Sequence, residues 1–393
     1  MSLDFSETLL LLGALLACAA ALSGWMRASV LSISVLAVVA GIVLAAFDVV
    51  SVDPTSDLVT HVVELALIIT LFADGLLVER ELLAKHWGPP ARALIVAMPL
   101  TLLLLAGCAL VAFPDLTVAE CFLLAAVLTP TDPVVTSTVV TATRVPAVVR
   151  HTLNLESGLN DGLALPLVLF FLVLAEPGGD AARSAVELLG EVAFGALVGV
   201  VIAFAGGRAL RRLPGGGLDR NYEGVYALGL ALAAYGFADA TFGNGLIAAF
   251  VAGLALGVAE HDIPKAFAQF NETVSAVLQV GVFFIFGALI VATGFDHGVL
   301  PLIGFIVFAL VVARPAAVLA SLAGARLSTP VKLFVAWFGP KGVASMLFAL
   351  LVLRSEVPDA ALVFEIASFA IVASIVVHGL TETVGTRWIE KRA

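Results

Sequence analysis

Charge is scarce in this chain. Only 13% of its 393 residues are Asp, Glu, Lys or Arg, against about 25% in soluble globular domains. That scarcity excludes a soluble enzyme, a nucleic-acid binder and a disordered scaffold. Cysteine is nearly absent as well. Cys18, Cys108 and Cys121 each lie inside an apolar run and read as small core residues, not as a disulfide or metal framework. Basic residues are fewer than acidic ones, 20 against 30. The formal net charge of -10 speaks against a polyanionic partner such as nucleic acid. No basic residue precedes Arg27, and Asp4 and Glu7 stand where a cleavable signal would carry positive charge, so the N-terminus is not expected to be a signal peptide. Nothing like Gly-Lys-Ser/Thr follows the one glycine cluster in a basic loop, Pro214-Gly215-Gly216-Gly217, so no ATP-driven pump is expected.

Apolar residues are what the chain has in abundance. They make up 61% of it, with a mean hydropathy of +1.11. A membrane-spanning helix takes about 20 such residues, and the total of about 240 suffices for roughly a dozen spans. The pattern predicts about thirteen segments, near 6–25, 29–47, 57–78, 91–113, 118–142, 154–175, 184–206, 222–240, 243–259, 272–293, 297–322, 330–353 and 360–384. The connections between them leave no room for a soluble domain of ordinary size. The expectation is an all-α polytopic membrane protein, a single domain over 1–393 with a short cytoplasmic tail at 385–393. Basic residues test the count, because cytoplasmic loops are enriched in Lys and Arg. With the N-terminus outside, sixteen basic residues fall in inside loops, Arg183 and Arg354 fall outside, and Arg314 and Lys341 fall within spans. That alternation supports thirteen spans with the C-terminus in the cytoplasm.

Two spans are interrupted. The fifth contains Thr129-Pro130-Thr131-Asp132-Pro133 and the twelfth Phe338-Gly339-Pro340-Lys341-Gly342. Proline inside a helix removes a backbone donor and clashes with the preceding turn. Unwound backbone at membrane depth is tolerated only where it is buried in protein or lines a water-filled cavity. The interruptions lie seven spans apart, so equivalent segments cross the membrane in opposite directions. This predicts inverted-topology repeats, one near 6–175 and the other near 222–384, joined by a linker helix at 184–206, with two crossed, interrupted helices.

Ionisable residues at membrane depth are costly and each needs a reason. Glu64, Asp74, Asp132, Glu156, Asp161, Arg314 and Lys341 fall within apolar segments, and five acids suit a cation pathway better than an anion pathway. Ser157 and Asp161 are i and i+4 on one helix face, and Glu156 and Asn160 share an adjacent face. A hydroxyl and a carboxylate stacked one turn apart form a plausible half-site for a monovalent cation, with Asp132 and carbonyls freed near Thr131 completing it. Asp132 has a second candidate role, stabilising the positive ends of half-helices at the break. Arg314 needs an acid, and Glu156 is the candidate partner. Lys341 could compensate carbonyls of the second break. Asp74 either lines the ion path or lies near the cytoplasmic surface. The six histidines fall mostly at span ends or in loops; most read as solvated, with pH sensing as the alternative.

Thr131-Asp132-Pro133 and Glu156-Ser157-x-x-Asn160-Asp161-Gly162 resemble the paired motifs of the monovalent cation:proton antiporter family, the sodium/proton exchangers of NhaP type. Ala313-Arg314-Pro315 and Trp337-Phe338-Gly339-Pro340-Lys341-Gly342 are similar to that family's later motifs. The resemblance implies thirteen spans and a transporter rather than an enzyme. Asp161 would bind either the cation or the proton, and Asp132, Ser157 and the Thr131 carbonyl would complete the site for transported sodium. Asn160 would bond to Glu156, and Arg314 would neutralise Glu156. Asp74 stands where the family usually has glutamate, and Lys341 where arginine is frequent. The resemblance further implies a homodimer in the cell (inner) membrane, with a core of spans 4–6 and 11–13 moving against a scaffold. It implies no organic cofactor, and a part in pH homeostasis.

One shared carboxylate holds a proton or a cation, so the two compete. One titrating acid trading one proton for one monovalent cation moves no net charge. The expected activity is therefore electroneutral exchange of sodium (or lithium) for protons. Potassium/proton exchange is the nearest alternative, since cavity size separates the two ions and no spacing in the sequence reports it. A cation channel would use the same acids but needs a continuous pore.

Overall fold

The computed structural model describes residues 10–11, 13–18, 20–21, 33–53, 56–76, 78, 87–132, 145–178, 181–210, 212, 222–259, 263–293 and 298–392. Among these residues every long regular element is a helix. The described residues between 10 and 21 are helical (α1). There follow α2 (Ile33–Ala46), α3 (Asp57–Leu76), α4 (Gly88–Ala112), α5 (Val118–Val127), α6 (Ala147–Ala175), α7 (Ala181–Leu210) and α8 (Glu223–Asp239). The second half of the chain adds α9 (Gly245–Ala259), α10 (Ile263–Thr293), α11 (Val299–Ser321), α12a (Thr329–Trp337), α12b (Val343–Leu353) and α13 (Ala360–Glu390). Among the described residues, six helices are long and apolar enough to cross a bilayer by themselves. Val111, Phe242 and Leu300 are more than four-fifths exposed, as side chains turned toward lipid are and side chains in water rarely are.

Local chemistry sets the boundaries. Thr117 and Glu120 form a reciprocal capping box at the start of α5, satisfying two of the orphan amides of a helix N-terminus. The other Glu120 oxygen accepts from the Asp359 amide at 3.1 Å, which ties the start of α5 to the start of α13. Gly243-Asn244-Gly245 forms the turn between α8 and α9, and Asn244 Oδ1 caps α9 by accepting from Ile247 N at 3.1 Å. Helices α6 and α10 begin seven and nine residues earlier than hydropathy predicts. Their first turns carry polar residues that an apolar criterion trims off. The fifth span is interrupted where Thr129-Pro130-Thr131-Asp132-Pro133 predicts. Helix α5 ends at Val127, residues 128–132 are irregular, and 133–144 lie outside the described residues.

Packing divides the helices into two groups. In one, α2 lies along α10, and α9 is flanked by α3, α7 and α8. In the other, α4 packs on α5, α5 on α6, α4 on α11, and α12b on α13. Helix α6 touches both, through α5 on one side and α3 and α7 on the other. Both α4 and α11 contain a π-helical stretch, at Ala93–Ala97 and Phe308–Ala313. Such wide turns shift the helix face that follows them, and the second delivers Arg314 directly into the interior.

Candidate functional site

The two interruptions meet. The Asp132 amide donates to Pro340 O at 2.9 Å, and Asp132 Oδ2 accepts from Val343 N at 3.1 Å. Val343 is the first residue of α12b, so Asp132 answers the positive end of that half-helix. Lys341 runs the other way. Its Nζ donates to Pro130 O at 3.2 Å and to Thr129 O at 3.4 Å. The carbonyls it compensates thus belong to the first interruption, where the sequence suggested the second. Crossing brings each segment's charge onto its partner's backbone. Two glycines permit it. A Cβ on Gly342 would strike Asp132, and one on Gly339 would strike the Arg314 guanidinium.

Helix α6 supplies the facing wall. Glu156, Ser157, Asn160 and Asp161 are all buried. Ser157 Oγ donates to Thr131 O at 2.7 Å. Asn160 Nδ2 donates to Thr131 Oγ1 at 2.8 Å. The Asn160 amide therefore serves Thr131, and not Glu156 as expected; one turn of α6 places it over the unwound segment, while Glu156 turns toward α11. Arg314 Nη1 reaches Glu156 Oε1 at 2.6 Å, with both side chains buried. Asp161 is 4% exposed and its Oδ1 has no hydrogen-bond partner among the described residues.

Asp74 comes to the same place from α3. Its carboxyl faces that of Asp161, and its Oδ2 also lacks a partner among the described residues. Asp132 and Lys341 complete the charged surroundings of Asp161. With Glu156 and Arg314 matched, three carboxyl groups share this interior with one ammonium. Surroundings rich in oxygen, with more carboxyl groups than ammonium groups, suit a hard cation. A small cavity lined by Thr131, Asp132, Leu153, Ser157, Phe338, Gly339 and Pro340 opens beside them. Glu64, another intramembrane acid, lies apart from this group and accepts a short hydrogen bond from Tyr235.

Three residues of this neighbourhood escaped the sequence reading. His378 is 2% exposed, not solvated, and bonds to the end of α12a with Ser374 and Thr381 beside it. Their i, i+4, i+7 spacing along an otherwise apolar stretch was the available signal.

Comparison with known proteins places the chain in a family. Residues 11–387 match the family described as "Sodium/hydrogen exchanger, transmembrane". The Na(+)/H(+) antiporter 2 of Zygosaccharomyces rouxii is 27% identical over 375 residues, which cover 85% of this chain and 46% of that protein. The K(+)/H(+) antiporter NhaP of Alkalimonas amylolytica is 25% identical, over 83% of this chain and 57% of its own length. The chain thus spans about half the length of these curated relatives. The solved structure of the sodium proton antiporter MjNhaP1 from Methanocaldococcus jannaschii superposes with a TM-score of 0.80 at 19% identity, covering 99% of both chains. At that identity the likeness speaks for the all-helical fold. The chain belongs to the sodium/hydrogen exchanger family, multi-pass membrane transporters that exchange monovalent cations for protons.

Proposed function

We propose that this chain exchanges sodium (or lithium) for protons at one site built on Asp161. The observation that carries the reading is convergence. A buried carboxylate with an oxygen that has no partner among the described residues stands beside Ser157, Asp132 and the Thr131 carbonyl where two interrupted segments cross. Asp132 caps the start of α12b through Oδ2 and brings its carboxylate next to Asp161. Asp74 lends a further carboxyl from α3. Glu156 and Arg314 are a structural pair, and Lys341 holds the crossing together.

Coupling follows from competition. Asp161 bears either a proton or a cation, and the loaded core moves while the empty charged core does not. Each half-cycle carries one positive charge, so exchange is electroneutral. The moving core comprises the α4–α6 and α11–α13 helices, the scaffold comprises the rest, and two copies form a homodimer in the cell membrane, N-terminus outside. The halves 6–175 and 222–384 are inverted repeats. Matching interruptions and matching π-stretches, each seven spans apart, support this. No organic cofactor takes part.

Potassium/proton exchange is the second reading, favoured by the relative from Alkalimonas amylolytica, which is named for potassium. Proton flux measured in proteoliposomes under sodium, lithium or potassium gradients decides between them. Asp161→Asn abolishes that flux in every gradient; retained cation-driven flux would sink the site assignment.

A further inference from the structure

The strongest feature outside the ion ligands is the way α13 grips the second interruption. Ending α12a at Trp337 and starting α12b at Val343 leaves carbonyls and amides without helical partners, and in a bilayer each must find one within the protein. Trp337 O lies 3.0 Å from His378 Nε2. A carbonyl only accepts, so that ring nitrogen carries the hydrogen and donates it. Lys341 N donates to Ser374 Oγ at 2.9 Å. The Trp337 indole donates to Thr381 Oγ1 at 3.0 Å. His378 Nδ1 stands against its own helix, near Ser374 O and Oγ. Ser374, His378 and Thr381 occupy one face of α13, and the first two are almost wholly buried.

We propose that Ser374, His378 and Thr381 are positioning residues that set the cation affinity of the site by holding segment 338–342 from both ends. The path is short. The segment they clamp carries Pro340 O, which accepts from the Asp132 amide, and Lys341, whose ammonium binds the carbonyls of Thr129 and Pro130. Thr131 and Asp132 come next in the chain. A shift of the clamped segment moves these oxygens against Ser157 and Asp161. A binding constellation has to be held to within about half an ångström, so such a shift changes the cation affinity. The three residues act by hydrogen bonding, through the backbone and the Trp337 indole that they hold. This rests on the reading of Asp132 and Asp161 as the ion site.

The test uses the full chain in proteoliposomes, with proton flux recorded against sodium concentration. His378→Phe and Ser374→Ala each raise the half-saturating sodium concentration at least fivefold, with the maximal rate within threefold of the parent. His378→Gln keeps a donor for Trp337 O and returns the half-saturating concentration to within twofold. An unchanged half-saturating concentration in both His378→Phe and Ser374→Ala overturns the proposal. So does a His378→Gln variant whose pH profile moves by a unit or more, since the ring would then act by titrating. Asp161→Asn, run alongside, separates the two ideas: flux retained there defeats the ion-site reading, whatever the α13 variants do.

Discussion

Removing Arg314 strands a carboxylate. Glu156 is buried against it, and breaking such a pair from one side costs about 3–5 kcal/mol because the remaining charge has no partner. Arg314→Ala therefore damages folding more than affinity. Its melting temperature in detergent falls sharply, and the fraction that folds keeps a near-normal half-saturating sodium concentration. Full thermal stability with lost transport would give Arg314 a different role. Asn160→Asp adds a carboxyl beside Asp161 but leaves the Glu156–Arg314 pair intact, so exchange by this variant stays insensitive to membrane potential. A voltage response measured with a potassium-valinomycin clamp would contradict that. At this scale the sequence was legible for residue type and for the Glu156–Arg314 pair, and less so for the other partners. A lone charge in an apolar run announces itself, whereas the atoms that answer it depend on how distant spans cross. Asn160 and Lys341 show the difference. Both were visible as interior polar groups, and both bond to the 129–131 segment, where the resemblance implied Glu156 for Asn160 and the expectation for Lys341 was the second break.

At the scale of elements the crossing of two interrupted spans is the unit that matters. Proline and glycine mark it in the sequence because no regular helix accommodates them in that density. What they cannot report is contact, and the contact is tight. Gly342→Ala puts a methyl group into Asp132, and overpacking of this kind costs about 1–3 kcal/mol. The expected result is weakened sodium binding together with a lower melting temperature. Normal values for both would mean that the crossing relaxes freely. Helix ends follow the same logic. Hydropathy finds the apolar middle of α6 and α10 but not their polar first turns, and it runs the fifth span through Pro130 although the helix stops at Val127. The α13 clamp lay hidden for another reason. A histidine near the end of a long apolar run looks solvated until the neighbouring helix is known.

For the whole molecule, competition at one carboxylate predicts a pH dependence. Acidification fills the site with protons, so the half-saturating sodium concentration rises as pH falls, by up to about tenfold per unit. A half-saturating concentration independent of pH would rule out a shared site. Topology is testable in the same vesicles. A cysteine placed at Arg354 reacts with a membrane-impermeant maleimide from outside, and one at Lys391 reacts only after permeabilisation; the reverse pattern would invert the assignment. Asp132 and its helix-end partner Val343 lie 211 residues apart. When the fifth span leaves the ribosome, the chain that will satisfy it has not been made. The early bundle must wait in the insertion machinery with its unwound backbone shielded by lipid-facing neighbours or by the translocon itself. Nascent chains stalled before residue 329 should be prime substrates for membrane quality-control proteases, and release from that surveillance should coincide with arrival of the twelfth span.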